Sequence, residues 1–286
     1  MSRFSVLSAL AMLLLSLGPD AFPARAQELP LAPLRGQGQG VWPVFEGWYD
    51  NPDGTYTIYF GYQNRNADQV LDIPLGERNF IEPAELDGAQ PTRFETLRHW
   101  GVFGIPVPAG QSPQDRIYWN LVVDGRTYRV PGHLQAEWKT DALGGGATGN
   151  TPPVLRFGAA EGRGPLGVTA STTVRARVGE PVELSVAATD EAASGPDLAA
   201  AFGGGRGGPA PQVTLAWFKH QGPGDVVFSR PTGRVPASGG ELTTMATFDA
   251  PGDHVVRVRA TDAAVAAAGH AQCCWTNGFV NVTVTR

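Results

Sequence analysis

The sequence has few cysteines, few lysines and no second long apolar run. Two cysteines in 286 residues cannot form the dense disulfide framework of a very small secreted domain, so hydrophobic cores must stabilise the fold. Acidic residues outnumber basic ones by 27 to 22 and no basic run occurs, which argues against nucleic acid as a partner. After the N-terminal apolar run, no other stretch approaches the length that spans a bilayer.

The chain also lacks the short motifs of the common enzyme classes. No GxSxG, HExxH or P-loop sequence occurs, and residues 203–209 (GGGRGGP) lack the Lys-Ser/Thr pair that would hold phosphate. The five histidines are scattered and do not have the spacing of metal ligands. We therefore interpret the chain as a non-catalytic protein.

The N-terminus has the three parts of a cleaved signal peptide. Arg3 gives a basic start, residues 6–18 form an apolar run too short to span a bilayer, and Ala24 and Ala26 occupy the positions that a signal peptidase reads. We predict a signal peptide over residues 1–26 and export to the bacterial periplasm or the medium. Removing it takes away two arginines and one aspartate, which changes the net charge from −5 to about −6.

Glycine and proline are abundant, at 37 and 24 residues, and short strand-like segments lie between them. Residues 27–40 have no periodicity and are predicted to be a flexible leader. Segments 44–50 and 55–65 flank Asn-Pro-Asp-Gly, which predicts a β-hairpin. Segment 101–108 contains two prolines, which cannot donate to a ladder, and is predicted to be an edge strand.

A second hairpin is predicted around Asp-Gly, between segments 116–123 and 126–130. Segment 133–140 is predicted to be the last strand of this part of the chain. Together these elements predict a β-sandwich domain over residues 41–142.

Residues 143–152 are rich in glycine and threonine without a hydrophobic period and are predicted to be a linker. Beyond them, strand-like segments recur to the C-terminus, and those at 180–190, 254–262 and 279–286 alternate apolar side chains with others. A second β-sandwich is predicted over residues 153–286. The predicted fold class is therefore all-β, with two tandem β-sandwich domains.

Four parts of the second half share a pattern: Asn150–Pro153, EPVELSVAATD at 180–190, Trp217 within LAWFK, and ATFDAPGDHVVRVRATD at 246–262. They resemble the immunoglobulin-like repeats of bacterial exported proteins, in particular the PKD-type and cadherin-like modules. The resemblance implies an immunoglobulin-like sandwich but no activity, because such sandwiches serve many functions. It also implies that the loops at 191–212 and 263–278 lie at the end that faces the first domain.

Cys273 and Cys274 are adjacent in HAQCCWTNG (270–278). Free thiols would be unusual in an exported protein, and a site completed by His270 would suit a thiophilic ion such as Cu(I). We favour a disulfide between the neighbours, whose Cα atoms lie at most about 3.8 Å apart, closer than in ordinary bridges. Such a strained ring would make a turn rigid, and Trp275, His270 and Asn277 are the candidate ligand contacts beside it.

The resemblance to cadherin-like modules further implies calcium at the domain junction. Asn150, Asp190, Glu191 and Asp262 offer oxygen ligands at the corresponding strand ends. The alternative is that these residues simply end strands in turns. Calcium is the one cofactor that the resemblance implies.

The seven tryptophans raise a carbohydrate-binding interpretation. Trp119 and Trp217 lie in alternating strands and are predicted to be core residues, whereas Trp48, Tyr49 and Trp275 are the candidates for an exposed stacking surface. We therefore predict an exported binding or scaffold protein whose partner is a protein or a carbohydrate of the cell envelope. The alternative is a periplasmic redox or thiophilic-metal-handling protein that acts through Cys273 and Cys274.

Overall fold

The computed structural model describes residues 35–144, 150–191, 211–262 and 274–286. Strands dominate these residues, and the helices among them are short 3₁₀ turns, Ala84–Leu86 and Ala136–Trp138. This part of the chain contains no helix long and apolar enough to cross a membrane. The prediction of an all-β fold is confirmed. The predicted signal peptide, His270 and Cys273 lie outside the described residues.

The first module covers the strands of the N-terminal half and is built from two small sheets that face each other. Its strands are β1 (Val41–Asp50), β2 (Tyr56–Asn64), β3 (Leu71–Asp72), β4 (Asn79–Glu82), β5 (Arg93–Phe94), β6 (Leu97–Val107), β7 (Ile117–Val123) and β8 (Arg126–Gly132).

The two main sheets of the first module have the orders β1-β2-β6 and β4-β7-β8. Both predicted hairpins are present, β1–β2 and β7–β8, and β6 is an edge strand, the position that suits Pro106. The sheets meet through Trp119 on β7, whose ring lies 6.0 Å from that of Phe60 on β2 and 5.0 Å from that of Phe103 on β6. The core of this module therefore lies between the two sheets.

The second module has longer strands and a larger core. Its strands are β9 (Val154–Phe157), β10 (Ala160–Gly162), β11 (Val168–Thr169), β12 (Val174–Arg177), β13 (Val182–Thr189), β14 (Gln212–Gln221), β15 (Val226–Phe228), β16 (Thr232–Pro236), β17 (Gly240–Phe248), β18 (Gly252–Thr261) and β19 (Trp275–Thr285).

One sheet of the second module has the order β10-β9-β13-β17-β15, and the other has the order β11-β19-β18-β14-β16, with β12 parallel to β19. This is the distribution of strands in an immunoglobulin-like sandwich. Alternation along β18 directs Val256, Val258 and Ala260 into the core between the sheets. Arg257 and Arg259 therefore lie on the opposite face of the same strand, toward the first module.

Two sequence-based expectations about strands are wrong. Segment 133–140 was expected to be a strand, but its centre forms the 3₁₀ turn Ala136–Trp138. Residues 275–278 were expected to lie in a loop, but they begin β19, where Asn277 pairs with Arg259 and Gly278 with Val258. Glycine is needed at position 278 of this strand, because the ring of Phe157 occupies the space that a Cβ atom would need.

Candidate functional site

The two modules meet at a buried contact, called the junction below. It is formed by Tyr49, Tyr59 and Gly101 of the first module and by Leu166, Trp275 and Asn277 of the second. Residues 35–286 form one compact unit, so the contacts across the junction define how the two modules are held.

Trp275 lies at the centre of the junction. It is the first residue of β19 and is 6% exposed. Its indole Nε1 donates to the carbonyl oxygen of Gly101 at 3.3 Å, and its ring meets that of Tyr59 edge-on at 6.4 Å. The side chain therefore contributes both apolar contact and a hydrogen bond to the other module.

Asn277 points to the same carbonyl group two residues along β19. Its side chain is completely buried, and its Nδ2 donates to the carbonyl oxygens of Gly101 at 2.7 Å and of Pro165 at 2.8 Å. Its Oδ1 accepts from Nη1 of Arg257 at 3.0 Å. Three hydrogen bonds thus fix this amide, and one of them crosses to the first module.

Gly101 allows this approach because it has no side chain. Its backbone has φ of +49°, and a Cβ atom placed there would lie 2.3 Å from Cζ2 of Trp275. Any larger residue would have to displace the indole or separate the modules.

We expect Gly101→Ala to lower the free energy of unfolding by about 3 kcal/mol, the sum of left-handed backbone strain and a steric clash in a packed site. Gly125→Ala is the matched control, because Gly125 also has positive φ (73°) but no atom within 4 Å of its Cβ position. The control should show the backbone strain alone, about 1–2 kcal/mol. Equal losses in urea denaturation would contradict a tight contact at Gly101.

Two further contacts surround the centre of the junction. The hydroxyl of Tyr49 accepts from the backbone N–H of Leu166 at 3.1 Å, and the hydroxyl of Tyr59 donates to Oγ1 of Thr140 at 3.2 Å. Burial raises the pKa of both tyrosines, so their hydroxyls stay protonated and available as donors.

The opposite side of the contact between modules is polar. The backbone N–H of Thr92 donates to the carbonyl oxygen of His220 at 2.8 Å, and Nε2 of Gln221 donates to the carbonyl oxygens of Gly88 and Gln90 at 2.8 and 2.7 Å. Two ion pairs join the same surfaces: Arg93 with Asp225 at 2.6 Å and Lys219 with Asp72 at 2.9 Å.

The candidate calcium ligands separate into two groups. Nδ2 of Asn150 donates to Oδ2 of Asp262 at 2.5 Å, and Asp190 is close enough to Asp262 for the two charges to interact. Glu191 instead forms an ion pair with Arg163 at 2.8 Å. Among the described residues, no group of three or more His, Cys, Asp or Glu side chains could hold a metal ion. Calcium binding here remains a prediction.

Asp190 provides a test of the group formed by Asn150, Asp190 and Asp262. Burial and the charge of Asp262 raise the pKa of Asp190 to about 7. A carboxyl group with a raised folded-state pKa stabilises the fold at low pH, and that contribution is lost as the pH rises from about 4 to about 7. We expect Asp190→Asn to be more stable than the wild type at pH 8 in EDTA, with the difference shrinking at pH 5.

Adding calcium to the same samples tests the predicted metal site. If calcium stabilises the wild type at pH 8 but not Asp190→Asn, the carboxylates hold the ion. If calcium affects both equally, the cluster is a proton site without a metal. Thermal unfolding followed by circular dichroism distinguishes the two results.

Cys274 lies at the edge of the junction. It is 2% exposed, and its sulfur lies 3.1 Å from the carbonyl oxygen of Asn150, four residues before β9 begins. Cys273, its predicted partner, and His270, the third predicted soft ligand, lie outside the described residues. The disulfide and the role of both residues therefore stay predictions.

The prediction that Trp48, Tyr49 and Trp275 form an exposed stacking surface is wrong. Trp48 is 8% exposed, Tyr49 2% and Trp275 6%, because all three are covered by other parts of the fold. Trp275 and Asn277 contact the first module instead of lying open at a loop. The importance of Gly101 was missed, because a glycine in a predicted edge strand gives no sign of which side chain will approach it.

Comparisons with known proteins do not assign the chain to a family. No family model and no curated protein matches the sequence. Among solved structures, the chain is similar to the D00-D0 domain of intimin at 12% identity with a TM-score of 0.27, covering 85% of this chain and 100% of that chain. For domains 4 and 5 of the S-layer protein SbsC the identity is 13%, the TM-score 0.23 and the coverage 87% and 98%. At these TM-scores the likeness supports no conclusion about family or function.

Proposed function

We propose that the chain is an exported, non-catalytic binding or scaffold protein whose two β-sandwich modules are held as one rigid unit. The observation that carries the proposal is the convergence of Trp275 and Asn277 on the carbonyl oxygen of Gly101. Export follows from the predicted signal peptide over residues 1–26.

The chemistry of the junction supports a fixed geometry. Contacts between independently moving domains are usually polar and permit relative motion. Here a tryptophan and an asparagine that are almost fully buried cross from one module to the other, and ion pairs join the far side. A protein that presents a binding surface at a set distance needs such a connection, whereas a flexible tether does not.

Native-state hydrogen exchange tests the rigid unit directly. Leu121 in the core of the first module and Val258 in the core of the second are both buried in paired strands. If the junction couples the modules, the amides of both strands should exchange with the same opening free energy. In Gly101→Ala the two values should separate. Two different values in the wild type would refute the proposal.

The cysteine pair has a structural role in this proposal. The buried position of Cys274, directly before β19 and beside Asn150, fits a disulfide ring with its neighbour better than a thiol that reacts with solvent. The alternative function, redox chemistry or binding of a thiophilic ion through Cys273 and Cys274, requires both thiols to be available.

A thiol titration decides between these roles. We expect no reactive thiol in the denatured protein without reductant, and two after reduction, because the neighbours are joined. Two reactive thiols before reduction, together with a change in the ultraviolet spectrum on adding Cu(I), would favour the alternative instead.

A further inference from the structure

Two arginines of the second module lie side by side where they face the first. Arg257 and Arg259 project from the same face of β18, two residues apart, and their guanidinium groups lie 4.7 and 5.8 Å from the ring centre of Phe218 on the neighbouring strand β14. Arg257 is 3% exposed, and Arg259 is partly exposed. The guanidinium of Arg257 is thus enclosed by protein, and that of Arg259 is partly accessible to solvent.

The first module covers this face with neutral rings. His99 stacks on Tyr62 at 4.9 Å and meets Phe218 edge-on at 6.0 Å. Glu95, whose charge interacts with Tyr62, is already paired with Arg93 at 2.8 Å. Two positive charges are therefore enclosed by aromatic side chains and not by carboxylates.

The donors of these arginines are largely unused among the described residues. Arg257 donates from Nη1 to Asn277, but its Nε is buried without a partner. Arg259 has a buried Nε without a partner and makes no hydrogen bond or ion pair with any described residue. Burial and the charge of Arg259 lower the pKa of Arg257 to about 9. Among the described residues, no carboxylate offsets that lowering of the pKa.

Such an arrangement is unfavourable unless an anion completes it. A buried charge costs several kcal/mol without a counter-charge, and proteins normally pair buried arginines with carboxylates or phosphates through their forked N–H groups. Stacking on Phe218 holds the guanidinium planes while leaving their N–H edges available.

We propose that Arg257 and Arg259, enclosed by Phe218, Tyr62 and His99, form an oxyanion-binding site between the modules. The ligand is a carboxylate, sulfate or phosphate group of a small molecule. Arg259 receives the anion from solvent, and Arg257 holds it from within. The site deepens the proposed function, on whose junction it rests, by naming the chemistry that the binding protein recognises.

The test is titration calorimetry with acetate, sulfate and phosphate at constant ionic strength, on the wild type and on Arg259→Met. We expect saturable one-to-one binding of at least one of these anions by the wild type, and at least about tenfold weaker binding by the variant, the loss typical of a charge-assisted hydrogen bond. The anion that binds most tightly identifies carboxylate, sulfate or phosphate as the preferred group.

Arg234→Met is the matched control, because Arg234 is an exposed arginine on β16 of the same sheet. It should bind the anion within about twofold of the wild type, as expected for a charge screened by solvent and salt. Equal binding by Arg259→Met and the wild type, or no saturable binding by the wild type, would overturn the site.

Thermal unfolding gives a second readout that does not depend on the affinity. Without anion, Arg259→Met should unfold at a higher temperature than the wild type, because an unpaired charge has been removed from a mostly buried position. Addition of the anion should raise only the wild-type value. If hydrogen exchange still shows one rigid unit while these anion effects are absent, the anion site fails and the proposed function stands.

Discussion

Replacement of Trp275 by alanine is expected to lower the free energy of unfolding by about 3–5 kcal/mol, the range for a large buried aromatic side chain. The loss has three parts: the apolar surface packed against Tyr59, the hydrogen bond to the carbonyl oxygen of Gly101, and the cavity that remains between the modules. Urea denaturation measures it. Because the side chain joins the two modules, the variant should also unfold in two transitions rather than one.

Trp100→Ala is the control, because it removes an indole next to Gly101 that does not lie in the junction. Trp100 precedes Gly101 but is 46% exposed and stacks on the guanidinium of Arg98 at 5.1 Å. Losing that contact should cost no more than about 1 kcal/mol, and unfolding should stay a single transition. Similar losses for the two variants would show that Trp275 does not join the modules.

The fold was predictable from the sequence wherever alternation and turn chemistry agree. Asp124 and Gly125 have positive φ values of 50° and 73°, as the tight turn between β7 and β8 requires, and the predicted hairpin is there. Trp119 and Trp217, predicted as core residues from alternation, are 0% and 3% exposed. In these cases a local pattern decides a local structure.

The candidate site was harder to predict because it depends on what covers the outer face of a sheet. Alternation shows that Tyr49 and Trp275 differ in orientation from their neighbours, but it cannot show that a second module lies over them. The arginines of β18 illustrate the same limit, since Arg257 belongs to the face that a single sandwich exposes to water, yet it is 3% exposed. The contact with the first module buries side chains on a sheet face that would otherwise be exposed to water.

Acid is expected to destabilise the contact between the modules through His220. This ring is 3% exposed, its Nε2 donates to the carbonyl oxygen of Ala89 at 3.0 Å, and its Nδ1 is buried without a partner. Burial first, and the charge of Arg257 second, lower its pKa to about 3. The folded protein therefore holds this histidine neutral, with no acceptor for a second proton among the described residues.

The sign of the effect follows from that lowered pKa. The unfolded chain binds a proton at this histidine below about pH 6.5, whereas the folded chain does not until about pH 3. The contribution of neutral His220 to the free energy of unfolding is therefore complete above pH 6.5 and is lost as the pH falls below that value. At pH 4.5 the loss is on the order of 3 kcal/mol. His99, whose pKa burial lowers to about 4, adds to it in the same direction.

We expect His220→Gln to lose less stability than the wild type between pH 7.5 and pH 4.5 in urea denaturation, because glutamine keeps a donor for Ala89 and cannot be protonated. Phe279→Leu is the matched control, since its ring packs against that of His220 at 5.1 Å but does not titrate. The control should shift stability by the same amount at both pH values. An unchanged pH response in His220→Gln would mean that the acid sensitivity comes from other groups, and that the contact between the modules tolerates a charge at this position.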